Sequence, residues 1–135
     1  MKISKMSNEE ILKKLRIETK RYHCFFKCEH IVKDILGDYG LNYETIISDV
    51  AANNANLFLE EANKRNLELD MSIYVYKPII DFDVIMGILD YCKMRTKNEK
   101  ELVIINKVMD DLTDHGYAYI CNRFGSSKKD KRSCL

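Results

Sequence analysis

The sequence predicts an all-α fold, and three observations carry that expectation. Apolar residues recur at helical spacing, beginning with Ile11, Leu15, Thr19, Tyr22 and Phe26, while Lys13, Lys14, Arg16 and Lys20 take the other sides. One Pro and five Gly in 135 residues are too few for the dense turns of a β-sandwich. The one strand-like run, Ser72 to Tyr76, has no strand to pair with, and an isolated strand is not stable. A chain of this length makes one domain and can bury a real core without staples. With 22 basic and 21 acidic residues the net charge is +1, which excludes a strongly basic nucleic-acid binder and an acidic disordered chain by composition.

Ser7-Asn8-Glu9-Glu10 reads as a capping box that opens a first helix, reaching to about Phe26. A second helix is expected from Lys27 or Cys28 to Tyr39, with Ile31, Val32, Ile35 and Leu36 as its apolar side. Gly37-Asp38-Tyr39-Gly40 loosens or ends it. Asn42 can cap a third helix over Tyr43 to Ala52, and Asn53-Asn54 reads as a break or a turn. Leu57 to Leu69 is strongly helix-forming, and Pro78 stops whatever precedes it. Phe82 to Met94 carries Val84, Ile88 and Tyr91 on one side and Ile85, Leu89 and Cys92 on another. Apolar residues on several sides predict a buried, central helix. Glu101 to Asp114 has Leu102, Ile105, Met109 and Leu112 in register, Gly116 is expected to terminate it, and Tyr117 to Phe124 forms a last short segment. The expected result is a bundle of six to eight helices around one hydrophobic helix.

Residues 1–124 read as the helical domain. Residues 125–135 read as a basic, disordered tail with Lys128, Lys129, Lys131 and Arg132. Cys24, Cys28, Cys92, Cys121 and Cys134 are odd in number and irregularly spaced, with no secretory leader. Free thiols in a reducing compartment are the simpler account. No apolar run reaches the ~18 residues of a membrane span.

The order of several short segments resembles the Bcl-2 family. Ile35-Leu36-Gly37-Asp38 resembles the core of a BH3 motif. Asn42-Tyr43-Glu44-Thr45 is similar to the opening of the third helix in the myeloid-cell-leukaemia branch, and Ile73-Tyr74-Val75-Tyr76 to the apolar end of the fourth, which favours helix there. Asp81-Phe82-Asp83-Val84 stands where the family opens its central helix with the Asn-Trp-Gly-Arg of the BH1 motif, and Ile105 to Phe124 resembles the sixth and seventh helices. The resemblance spans roughly Ser7 to Phe124. With little room between the first two helices and no membrane anchor, it points to a compact viral homologue of the iridovirus or poxvirus type.

The resemblance implies a pro-survival protein that sequesters BH3 motifs of pro-apoptotic proteins in a hydrophobic groove, in the host cytoplasm and peripherally at mitochondria, with a homodimer as one expected state. It implies no cofactor, and it places Tyr43, Ile47, Val50, Met71, Val75, Val84, Ile88 and Tyr91 on the groove. Spacing is consistent with this, since Val84, Ile88 and Tyr91 share one helix face and Ile47 and Val50 another. The same residues read equally as core. Val84 stands where the family's arginine meets the BH3 aspartate, and Asp83 replaces its glycine, so a narrow ligand range of Bim or Bak type is expected. The alternative is a viral immunomodulator of the same fold that binds innate-signalling adaptors and damps NF-κB without binding BH3.

Other chemistries are less well served. His23, Cys24, Cys28 and His30 put four potential zinc ligands in eight residues, but structural zinc sites draw on two separated pairs, so no metal is expected. No Gly-rich phosphate loop or nucleophile elbow occurs, and no enzyme is expected. Four basic tail residues give only weak attraction to anionic lipid. Ser133-Cys134-Leu135 faintly resembles a PDZ ligand, and Cys134 is not positioned for prenylation.

Overall fold

A computed structural model describes residues 2–44, 47–70, 72 and 80–124. Within them lie a 3-10 turn, Ile3–Lys5, and four α-helices: α1 (Asn8–Asp38), α2 (Ile47–Lys64), α3 (Phe82–Arg95) and α4 (Glu99–Arg123). No strand occurs among the described residues, so the fold is all-α as expected.

α1 opens on the expected capping box. The Glu10 amide donates to Ser7 Oγ at 3.1 Å and the Ser7 amide donates to Glu10 Oε1 at 3.2 Å. It then runs 31 residues unbroken, where two helices were expected. Ile11, Leu15 and Thr19 are buried along one face, whereas Cys24, Cys28, Ile31, Val32, Ile35 and Leu36 are buried along another. The step of five positions from Thr19 to Cys24 turns the apolar stripe by about 140° at ~100° per residue. A stripe that changes face mimics a chain break, but no Gly or Pro interrupts the backbone there. Tyr22 is half-buried and Phe26 is 45% exposed, so the first stripe ends at Thr19 rather than at Phe26. Gly40, at φ +86, ends the helix in the left-handed conformation, and the Leu41 amide closes back on the Leu36 carbonyl at 2.8 Å.

α2 corrects a second expectation. Asn53 and Asn54 are helical and exposed, not a break, and α2 continues past them to Lys64. Asn42 and Tyr43 precede the helix rather than capping or entering it. Its first turn is held from α1: the buried Glu29 carboxylate accepts the Ser48 amide at 3.2 Å and hydroxyl at 2.8 Å. Asn66, at φ +54, ends it, with the Leu67 amide on the Ala62 carbonyl at 3.0 Å.

α3 is capped by Asp81, which accepts from the Asp83 and Val84 amides at 2.9 and 3.2 Å. It buries Phe82, Ile85, Ile88, Leu89 and Cys92. Asp83, Gly87, Asp90 and Met94 are exposed, so α3 is amphipathic and not the all-round buried central helix expected. In α4, capped by Asn98, Gly116 does not stop the helix. The backbone kinks at His115 (φ −134, ψ 16) and continues to Arg123. A Cβ on Gly116 would stand 2.8 Å from Leu112 Cβ and 2.9 Å from Phe82 Cε2, so the glycine is there for close packing. Two expected breaks, after Phe26 and at Asn53-Asn54, are absent, and the one expected near Gly116 is reduced to the kink at His115, so the described residues hold four α-helices instead of six to eight.

α1 serves two cores. Its second half packs with α3 and α4 around Ile31, Ile35, Leu36, Ile85, Leu89 and Ile105. Its first half packs with α2 and the 3-10 turn around Ile11, Leu15 and Ala62, covered by Ile3, Met6, Phe58, Leu59, Leu67 and Leu69. Cys28 and Cys92 are free cysteines, as expected. Cys24 is disulfide-bonded, against that expectation.

Candidate functional site

After the turn at Gly40 the chain buries Leu41 and lays Tyr43, half-buried, against the main core. The Tyr43 hydroxyl donates to the Cys92 carbonyl at 3.4 Å, tying this segment to the last turns of α3, and burial raises its phenol above the ordinary range. On α3, Val84 and Tyr91 are half-buried, one in the first turn and one near the end. The Arg95 guanidinium lies 5.4 Å from the Tyr91 ring centroid and donates to the Tyr91 hydroxyl at 3.2 Å. Its charge also bears on Tyr43. Tyr43, Tyr91 and Arg95 therefore gather at the C-terminal end of α3. Sequence reasoning missed Arg95, whose only signal is its position one turn after Tyr91.

Ile88 lies between Val84 and Tyr91 in sequence, but it is 2% exposed and belongs to the main core. It does not line an open groove, because the i, i+4 face that it shares with Val84 turns inward at that point. Val50 is 52% exposed on α2, and Ile47 opens the same helix. Met71 and Val75 lie outside the described residues.

The BH1-like segment divides between solvent and core. Asp81 is the buried cap of α3 and Asp83 is exposed. Phe82 packs edge-on to Tyr117, with ring centroids 6.3 Å apart. In the BH3-like segment Ile35 and Leu36 are core residues, and Gly37 and Asp38 form the exposed last turn of α1. Asp38 accepts a hydrogen bond from Arg123, which also donates to the Tyr119 hydroxyl at 2.6 Å, and the Tyr39 hydroxyl donates to Asp111 at 2.6 Å. Together these contacts fasten the end of α1 to α4.

The four residues considered for zinc do not converge. Cys24 and Cys28 are buried, with sulfurs 4.0 Å apart, while His30 is exposed against the Phe26 ring at 4.7 Å. Burial pushes the Cys28 thiol up to about 12, which disfavours the thiolate that a metal needs. Among the described residues no group of His, Cys, Asp and Glu is disposed to hold a metal, and no helix is long and apolar enough to cross a membrane.

Set against family models, curated proteins and solved structures, the chain matches none.

Proposed function

We propose that this chain is a non-enzymatic recognition protein of the compact viral Bcl-2 type, which holds the BH3 helix of a pro-apoptotic protein and so blocks permeabilisation of the mitochondrial outer membrane. It acts from the host cytoplasm, peripherally at mitochondria. The observation that carries the reading is the half-buried rim of Tyr43, Val84 and Tyr91 around α3, three of the residues that the resemblance assigns to the groove. Arg95 supplies a cation beside that rim, in the absence of an arginine at position 84, to meet the acidic residue of the incoming helix.

Three half-buried side chains gain less on binding than four fully buried ones at roughly 1.5–3 kcal/mol each. With Ile88 sealed in the core, the expected affinity is about micromolar and the ligand range narrow. Isothermal titration against a panel of BH3 peptides tests this. Binding of a Bim- or Bak-type peptide that weakens about tenfold in Arg95→Ala supports the assignment. No uptake of any peptide rejects it.

A second reading, an adaptor-binding inhibitor of NF-κB signalling without BH3 recognition, is favoured by the burial of Ile88 and the exposed Asp83. A reporter assay in which the chain damps NF-κB while no BH3 peptide binds would select it.

A further inference from the structure

Between α1 and α2, away from the rim at α3, lies a cleft of about 270 Å³. α2 contributes Ala52, Ala55, Asn56 and Leu59, at i, i+3, i+4 and i+7. α1 contributes Leu15, Thr19, Tyr22 and His23, at i, i+4, i+7 and i+8. Two matched helix faces therefore meet, and the space arises where α2 presents alanines. Further along the same interface Ile11 and Ala62 are fully buried.

Three features define what the cleft accepts. Its size is several times the ~30 Å³ of a water and exceeds the ~150 Å³ cavity that holds benzene in another protein. Its floor, Leu15 and Thr19, is buried, whereas Tyr22, His23, Ala52 and Ala55 are half-buried and Asn56 is exposed, so it opens to solvent. None of its eight lining residues is Asp, Glu, Lys or Arg, in a chain that is 32% charged. An ionised guest would lose hydration without meeting a carboxylate, ammonium or guanidinium in the lining. Apolar walls with a hydroxyl, a phenol, an imidazole and an amide among them suit a molecule that is mostly hydrocarbon and carries one neutral hydrogen-bonding group.

We infer that the α1–α2 cleft is a binding site for a small neutral amphiphile of about six to ten carbons with a single hydroxyl or carbonyl group. This inference is independent of the BH3 reading, because none of the lining residues belongs to the proposed groove. Occupancy couples the two faces across the smaller of the two cores and adds to its stability.

The test is amide chemical-shift titration of the full chain with 1-hexanol, alongside hexanoate and hexylammonium of the same length. Saturable shifts centred on Thr19, Ala52 and Ala55, at least about tenfold tighter for hexanol than for either ion, are expected. Ala55→Leu fills the space and should abolish the hexanol shifts while retaining the thermal midpoint. If that variant does not fold, Ala52→Val serves the same purpose with a smaller side chain. Shifts that fail to saturate, that are equal for the charged analogues, or that persist in a folded Ala55→Leu would overturn the inference. So would a dimer in light scattering that dissociates in Ala55→Leu, since the occupant would then be a second copy of the chain.

Discussion

Replacing Arg65 by alanine should loosen one half of the molecule and leave the other half intact. Arg65 lies just beyond α2 and draws the N-terminal segment onto it. Its Nη1 donates to the Met6 carbonyl at 2.7 Å and to Asn8 Oδ1 at 3.1 Å. Its Nη2 donates to the carbonyls of Ile3 at 3.1 Å and Ser4 at 3.3 Å, and Nε pairs with Glu61 at 2.7 Å. The contacts to Ser4 and Asn8 are exposed, so water replaces them at little cost. Those to Met6 and Ile3 are part-buried and charge-assisted, worth about 1–1.5 kcal/mol each. The ion pair with Glu61, at 19% and 13% exposure, adds about 0.5–1 kcal/mol. The loss is then about 3 kcal/mol, and it falls on the smaller core, which Ile3 and Met6 cover.

Hydrogen exchange read by mass spectrometry separates the two halves. Amides of α2 and the first three turns of α1 should exchange roughly 100-fold faster, while α3 and α4 keep their protection. Arg65→Lys keeps the charge but not the planar fork, and should recover less than half of the protection. Unchanged exchange in α2 would show that the clamp contributes nothing. Equal acceleration in all four helices would show one cooperative unit, contrary to the division into two cores.

Gly116→Ala should destabilise by about 1–3 kcal/mol, since the added carbon meets Leu112 and Phe82 at under 3.0 Å; an unchanged thermal midpoint would refute the packing argument. Burial pushes the Cys28 thiol to about 12 and the Cys92 thiol to about 11, so iodoacetamide at pH 8 should label both only on unfolding; stoichiometric labelling of the native protein within minutes would contradict this. The Asp111 carboxyl is held below the ordinary carboxylate range, first by the Tyr39 hydroxyl and then by Lys107. Its stabilising contribution is therefore complete above the ordinary carboxylate value and is lost as pH falls through the lowered one, below about pH 4. The gap in melting temperature between wild type and Tyr39→Phe should close over that range, and a gap constant with pH would exclude the linkage.

Local chemistry was legible wherever it acts over a few residues. The Ser7 capping box, the end of α1 at Gly40 and the helix beginning at Phe82 each depend on neighbours in sequence. The all-α class followed from apolar periodicity, which is likewise local. The continuity of α1 was not legible, because a stripe that rotates between Thr19 and Cys24 has the same pattern whether the chain breaks or one helix faces two cores. The Asn53-Asn54 pair reads as a breaker by propensity, but burial of Ala51 and Ala62 on either side carries α2 through it.

The candidate rim divides in the same way. The sequence alone determined that Val84, Ile88 and Tyr91 share a helix face. Only the tertiary structure decided that Ile88 is sealed in the core while Tyr91 stays at the surface beside Arg95 and Tyr43. It alone brought Glu29 to the start of α2 and Arg65 to the N-terminal carbonyls. Spacing along a helix specifies direction around its axis, but which direction is inside depends on the elements that pack against it, and those lie tens of residues away.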